Sequence, residues 1–78
     1  MTNISLSTSE KEEEQIFTLL RIDSENESPL FYLAPVDNID TEYLRLKIEN
    51  NRFKIDKSNR KIDEPKDSFQ SKLDSLIP

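Results

Sequence analysis

From Leu44 the chain alternates: Leu44, Leu46 and Ile48 are apolar, whereas Arg45, Lys47 and Glu49 are charged. After Asn50-Asn51 the alternation resumes as Arg52, Phe53, Lys54, Ile55, Asp56. A period of two belongs to a strand with one buried face. Asparagine tolerates the positive φ that a type I′ turn demands at both central positions. With that two-residue turn, Ile48 faces Phe53 and Leu46 faces Ile55 on one side. On the other side Glu49 faces Arg52 and Arg45 faces Asp56. One register satisfies both faces, and a slip of one residue would expose every apolar side chain. Lys47 opposite Lys54 is the single unfavourable pair, tolerable on an exposed face. Residues 44–57 are therefore expected to form a β-hairpin.

Two further apolar runs precede it. Ile16, Thr18, Leu20 and Ile22 alternate with Phe17, Leu19 and Arg21, and Leu30-Phe31-Tyr32-Leu33-Ala34 follows a polar link over 23–29. β-Branched and aromatic residues favour strands here, although Ile16, Leu19 and Leu20 also fit a helical stripe and Ser9 with Glu12 could cap a helix. Two such runs joined by a polar loop predict a second hairpin, closed by Pro35, which lacks a ladder donor. A turn at Ser58-Asn59 would add a short strand placing Ile62 opposite Ile55 and Lys61 opposite Asp56. Beyond Pro65, Asp67 and Gln70 form a capping-box variant ahead of Phe69, Leu73, Leu76 and Ile77 at helical spacing. That helix is too short to stand alone, so its apolar face must dock, on its own sheet or on a partner.

Residues 1–14 hold only Ile4 and Leu6 as sizeable aliphatics, so they are expected not to offset their ordering entropy. The resulting expectation is an α+β fold: a small antiparallel β-meander of four to five strands, a short C-terminal helix and a disordered N-terminus. It divides into a disordered acidic tail over 1–14, a β domain over 15–62, and a linker with a short amphipathic helix over 63–78.

The chain has 78 residues and contains no cysteine, histidine or glycine. Disulfides, cysteine or histidine zinc sites, thiolate nucleophiles, imidazole bases and glycine-rich phosphate loops are thereby excluded. A core this small seldom encloses the cleft that carboxylate or lysine chemistry needs. The chain is therefore read as non-enzymatic, with no cofactor and no metal. Asp23, Glu25 and Glu27 imitate the start of a calcium loop, but Ser28 and Ala34 stand where that loop needs glycine and a bidentate glutamate. No apolar run approaches the ~20 residues of a membrane span, and the N-terminus lacks the basic and apolar regions of a signal peptide. A cytoplasmic location is expected, or a nuclear one in a eukaryote.

Charge is uneven. Residues 1–44 carry ten acidic and two basic side chains, 45–61 seven basic and two acidic, and 62–78 four acidic and two basic, giving the net −5. Arg45, Lys47, Arg52 and Lys54 are candidates for polyanion binding. No aromatic is interleaved along that face to stack bases, so nucleic acid is disfavoured as a partner and a solvated polar face is preferred. By elimination the chain reads as a small acidic protein-binding module, a subunit or adaptor of a larger assembly. Its candidate contacts are Glu12, Glu13, Glu14, Tyr32, Tyr43 and Leu73, with homo-oligomerisation through sheet edges as a further route. The alternative is a phage-type inhibitor whose carboxylates mimic nucleic acid and block a DNA-binding enzyme.

Overall fold

The computed structural model describes residues 2–9, 13–25 and 27–76. Its best anticipated part is the hairpin of β4 (Leu44–Glu49) and β5 (Arg52–Ser58). Asn50 and Asn51 both take positive φ, 52° and 63°, as a type I′ turn requires. Ile48 pairs with Phe53, Leu46 with Ile55, Glu49 with Arg52 and Lys47 with Lys54, as the alternation predicts. Beyond Leu46 the register shifts, so Arg45 pairs with Lys57 and not with Asp56. Asp56 is the extra residue of a bulge, a device that strengthens local twist. Because a side chain in αL conformation is costly, Asn51→Ala should lower stability by about 1 kcal/mol. Asn51→Gly should raise the thermal midpoint instead. Thermal unfolding followed by circular dichroism checks both.

Three more strands precede this hairpin: β1 (Thr2–Ser7), β2 (Glu14–Asp23) and β3 (Leu30–Pro35). All five form one antiparallel sheet in the order β1-β2-β3-β4-β5. The competition between helix and strand over 9–22 is thus decided for strand over Glu14–Asp23. A second bulge, at Leu20, falls between the pairs Leu19–Leu33 and Arg21–Tyr32. With bulges in β2 and β5 the sheet curls on itself.

The N-terminal expectation is corrected. Thr2–Ser7 is not a disordered tail but an edge strand, and Ile4 and Leu6 are buried in the core. Two aliphatics do not have to stabilise this segment alone. The ladder with β2 satisfies its backbone, and the curled sheet supplies the apolar surroundings.

The expected short strand over 61–62 is also corrected. The Asn59 side chain accepts from Tyr43 N at 2.8 Å and donates to the Thr41 carbonyl at 2.7 Å. Ser58 Oγ accepts from Arg60 N at 3.0 Å. These bonds turn the chain away from β5 before a further hairpin can form. Residues 64–68 instead run into the gap between the two ends of the curled sheet. On the β1 side, Thr8 bridges Pro65, Lys66 N donates to the Ser7 carbonyl at 2.8 Å, and Ser7 N donates to Asp67 Oδ2 at 2.8 Å. On the β5 side, Arg52 bridges Ser68, Ile55 N donates to Glu64 Oε2 at 2.9 Å, and Phe69 N donates to the Asn51 carbonyl at 3.0 Å. Edge backbone groups that would otherwise be unpaired are satisfied in this way.

The helix α1 (Phe69–Leu76) follows and packs on β1 and β5. Its amino end is capped by Ser68, whose Oγ accepts from Ser71 N at 3.3 Å, and not by Asp67. Asp67 is already committed to Ser7 N and to an ion pair with Lys72. The core comprises Ile4, Leu6, Phe17, Phe31, Leu33, Leu44, Leu46 and Phe53, with Phe69, Ile48, Ile55, Ile62 and Leu19 packed against it. Phe31 and Phe53 meet edge to face at 5.3 Å, and Phe53 and Phe69 at 5.6 Å. The four phenylalanines therefore lie in or against the core, as expected, and Phe69 docks the helix on its own sheet.

Candidate functional site

Inward Phe17, Leu19, Phe31, Leu33, Leu46 and Phe53 leave their neighbours along each strand on the outer face of the sheet. On β4 and β5 that face carries Arg45, Lys47 and Lys54. On β3 it carries Tyr32 and Ala34, and on β2 Ile16 and Thr18, followed by the bulged Leu20. The outer face is thus divided, charged over β4–β5 and largely apolar over β2–β3.

Tyr32 stands at the boundary. The Arg21 guanidinium lies 4.2 Å from its ring centroid and that of Arg45 lies 5.8 Å away, both within cation–π reach. Arg45 also pairs with Asp56. Hydrogen bonding to Tyr32, then to Asp56, holds the Arg45 guanidinium above its ordinary value. It therefore stays cationic wherever the chain is folded. An aromatic is thus interleaved with the basic side chains, across strands where no pattern along one strand could show it. This corrects the expectation that the basic face has none. Much of that face is nonetheless engaged internally. Arg45 is held by Asp56, Arg52 donates to the Lys66 carbonyl, and Lys47 lies 3.7 Å from Glu49. The directly paired Lys47 and Lys54 repel each other. Lys54→Glu should therefore raise stability by about 0.2–1 kcal/mol, toward the low end because both side chains meet solvent. The gain should shrink at high ionic strength, which a denaturant titration at two salt concentrations measures.

The apolar half is the less expected feature. Ile16 is 51% exposed, Leu20 49% and Val36 42%, whereas Thr18 and Ala34 between them are buried. Val36 N donates to the Ile16 carbonyl at 3.2 Å, which holds the two aliphatic side chains beside each other. They line an open groove of about 300 Å³ together with Glu14, Gln15, Asp37 and Arg60. Arg60 Nη1 lies 3.2 Å from Asp37 Oδ1 and 3.3 Å from Glu42 Oε2. The second of these is a charge contact without hydrogen-bond geometry. Gln15 Oε1 is buried and receives no hydrogen bond. Among the described residues, no group of three acidic side chains is placed to hold a metal ion. No helix among them is long and apolar enough to cross a membrane.

The residues singled out from sequence do not converge on one place. Glu12 lies outside the described residues. Glu13 and Glu14 are exposed at the start of β2, and only Glu14 lines the groove. Tyr43 is exposed, with its backbone pinned by Asn59 and Ser58. Leu73 is half-buried on α1, on the far side of the chain order from the groove. Ile16, Val36, Asp37 and Arg60 were not anticipated. The one usable signal was that β2 is apolar in both registers of its alternation, more than a sheet with one buried face requires. Compared with models of known protein families, with curated proteins and with solved structures, the chain matches none.

Proposed function

We propose that the chain is a small protein-binding module, a subunit or adaptor of a larger assembly, that docks through the outer face of β2 and β3. The observation carrying this reading is the exposed aliphatic surface of Ile16 and Leu20 on β2 and of Val36 just after β3, on strands whose other face already fills the core. Exposed aliphatics grouped on a flat, otherwise closed surface of a small protein are characteristic of interaction sites. Self-association through sheet edges is the less favoured route, because residues 64–68 occupy much of both edges.

Affinity purification from the native cell with the wild type and with Leu20→Ser tests the reading. Leu20→Ser should change stability by no more than about 0.5 kcal/mol and lose the specifically retained protein. If Leu73→Ala loses that protein and Leu20→Ser keeps it, the contact surface is the helix.

Nucleic-acid mimicry is the second reading. Glu13 and Glu14 at the start of β2 and Asp37, Asp40 and Glu42 after β3 gather at one end of the sheet. Asp23 and Glu25 lie at the other end of the ten-residue β2, about 30 Å away at strand spacing. A mimic would release its target to duplex DNA and bind it with steep dependence on salt.

A further inference from the structure

We infer that the groove between Glu14, Ile16, Val36, Asp37 and Arg60 receives a cationic side chain, lysine or arginine, from an apolar-flanked segment of the partner. This rests on the protein-binding reading above and specifies the chemistry of its partner.

Two properties of the groove converge on that ligand. Ile16 and Val36 give it an aliphatic lining, which suits the methylene stem of a long basic side chain. Its rim is acidic. The single guanidinium of Arg60 is shared between Asp37 and Glu42, while Glu14 forms no ion pair with any described residue. Two carboxylates around one cation, with Glu14 in addition, leave the groove net negative. An anion would be repelled by Glu14 and Asp37, and a bare metal ion would gain nothing from the aliphatic lining. Leu20, outside the groove but exposed four residues further along β2, offers an apolar surface for residues flanking the cation.

The test uses the full isotope-labelled chain and three probes: acetyl-Leu-Lys-Leu-amide, its arginine analogue, and the norleucine analogue, which keeps the stem but removes the charge. Saturable amide shifts confined to Gln15, Ile16, Val36, Asp37 and Arg60 are expected with a cationic probe. Norleucine should bind about tenfold more weakly, as should the lysine probe on Glu14→Gln, a difference of about 1.4 kcal/mol. Raising salt from about 50 to about 500 mM should weaken the cationic probes alone. Glu14 is exposed, so Glu14→Gln should fold even if a double variant with Asp37→Asn does not. Equal binding of norleucine, or shifts spread equally over Asp23, Glu25 and Glu27, would overturn the inference. In pull-downs, a partner lost by Leu20→Ser but kept by Glu14→Gln with unchanged affinity leaves the binding module intact and removes the cationic groove. A partner kept by both variants removes the face itself. A partner displaced by duplex DNA from the wild type assigns the acidic end to phosphate mimicry instead.

Discussion

Replacing Leu6 with aspartate is expected to leave the chain unfolded at 25 °C. Leu6 is 1% exposed and sits in the core with Ile4, Phe17 and Leu33. Truncation alone, Leu6→Ala, should cost about 2–5 kcal/mol. That approaches the whole stability expected of so small a domain, about 3–5 kcal/mol. An ionised carboxylate in the same place adds a desolvation penalty of several kcal/mol with no cation to offset it. Burial would raise the folded-state pKa of the introduced carboxyl above its ordinary value of about 3.9. The neutral form is the one the fold tolerates, so the defect is largest above the raised pKa and shrinks as pH falls below it. Asn3→Asp, exposed on the other face of the same strand, is the control and should change stability by no more than about 0.5 kcal/mol. Circular dichroism with a urea titration distinguishes them. Were residues 1–14 a free tail, both substitutions would be silent.

Phe53→Ala should be nearly as damaging. Phe53 is fully buried and its ring meets both Phe31 and Phe69 edge to face. Removing a phenylalanine from a core typically costs about 3–5 kcal/mol, and each aromatic pair adds about 0.5–1.5 kcal/mol beyond its buried area. The helix should also loosen, because Phe69 loses one of its two aromatic partners while Phe31 remains at 6.1 Å. Faster amide exchange over 69–73 than over β2 and β3 would show this in whatever fraction remains folded. Phe53→Leu, which restores most of the volume, should retain the fold with a loss below about 1.5 kcal/mol. An equal effect of the two substitutions would mean that Phe53 does not anchor the core.

The parts of this fold legible in the sequence were those where neighbouring residues decide the outcome. The β4–β5 hairpin is the best example, because two asparagines that accept positive φ and an alternation on both sides allow one pairing. The limits of the same logic appear at Arg45. The pairing there slips by one residue through the bulge at Asp56, yet the Arg45–Asp56 ion pair survives. Long side chains tolerate a shift that the backbone register does not. The short strand over 61–62 was misjudged for a different reason. Asn59 and Ser58 are turn residues by type, and they do turn the chain, but their side chains bond the loop before β4 across 15 to 18 residues of sequence. Nothing local distinguishes those two uses of the same side chains.

The candidate site was the least legible part. β2 is apolar in both registers, so its sequence does not state whether Ile16 and Leu20 or Phe17 and Leu19 face the core. The curled sheet chose Phe17 and Leu19 and left Ile16 and Leu20 outside. Val36, Asp37 and Arg60 reach the same groove from a loop and from the segment after β5, and only the path of the chain brings them together.

The Asn50-Asn51 turn and the pairing from Glu49–Arg52 to Leu46–Ile55 were thus determined by the sequence alone. So were the chemical exclusions that follow from having no cysteine, histidine or glycine. Both depend on residue identity and short spacing. The burial of Ile4 and Leu6, the closure of the sheet by residues 64–68 and the acidic, aliphatic groove were decided only by tertiary structure. Each arises from contacts between segments distant in sequence, where the benefit of burying or pairing a group depends on what the rest of the chain places beside it.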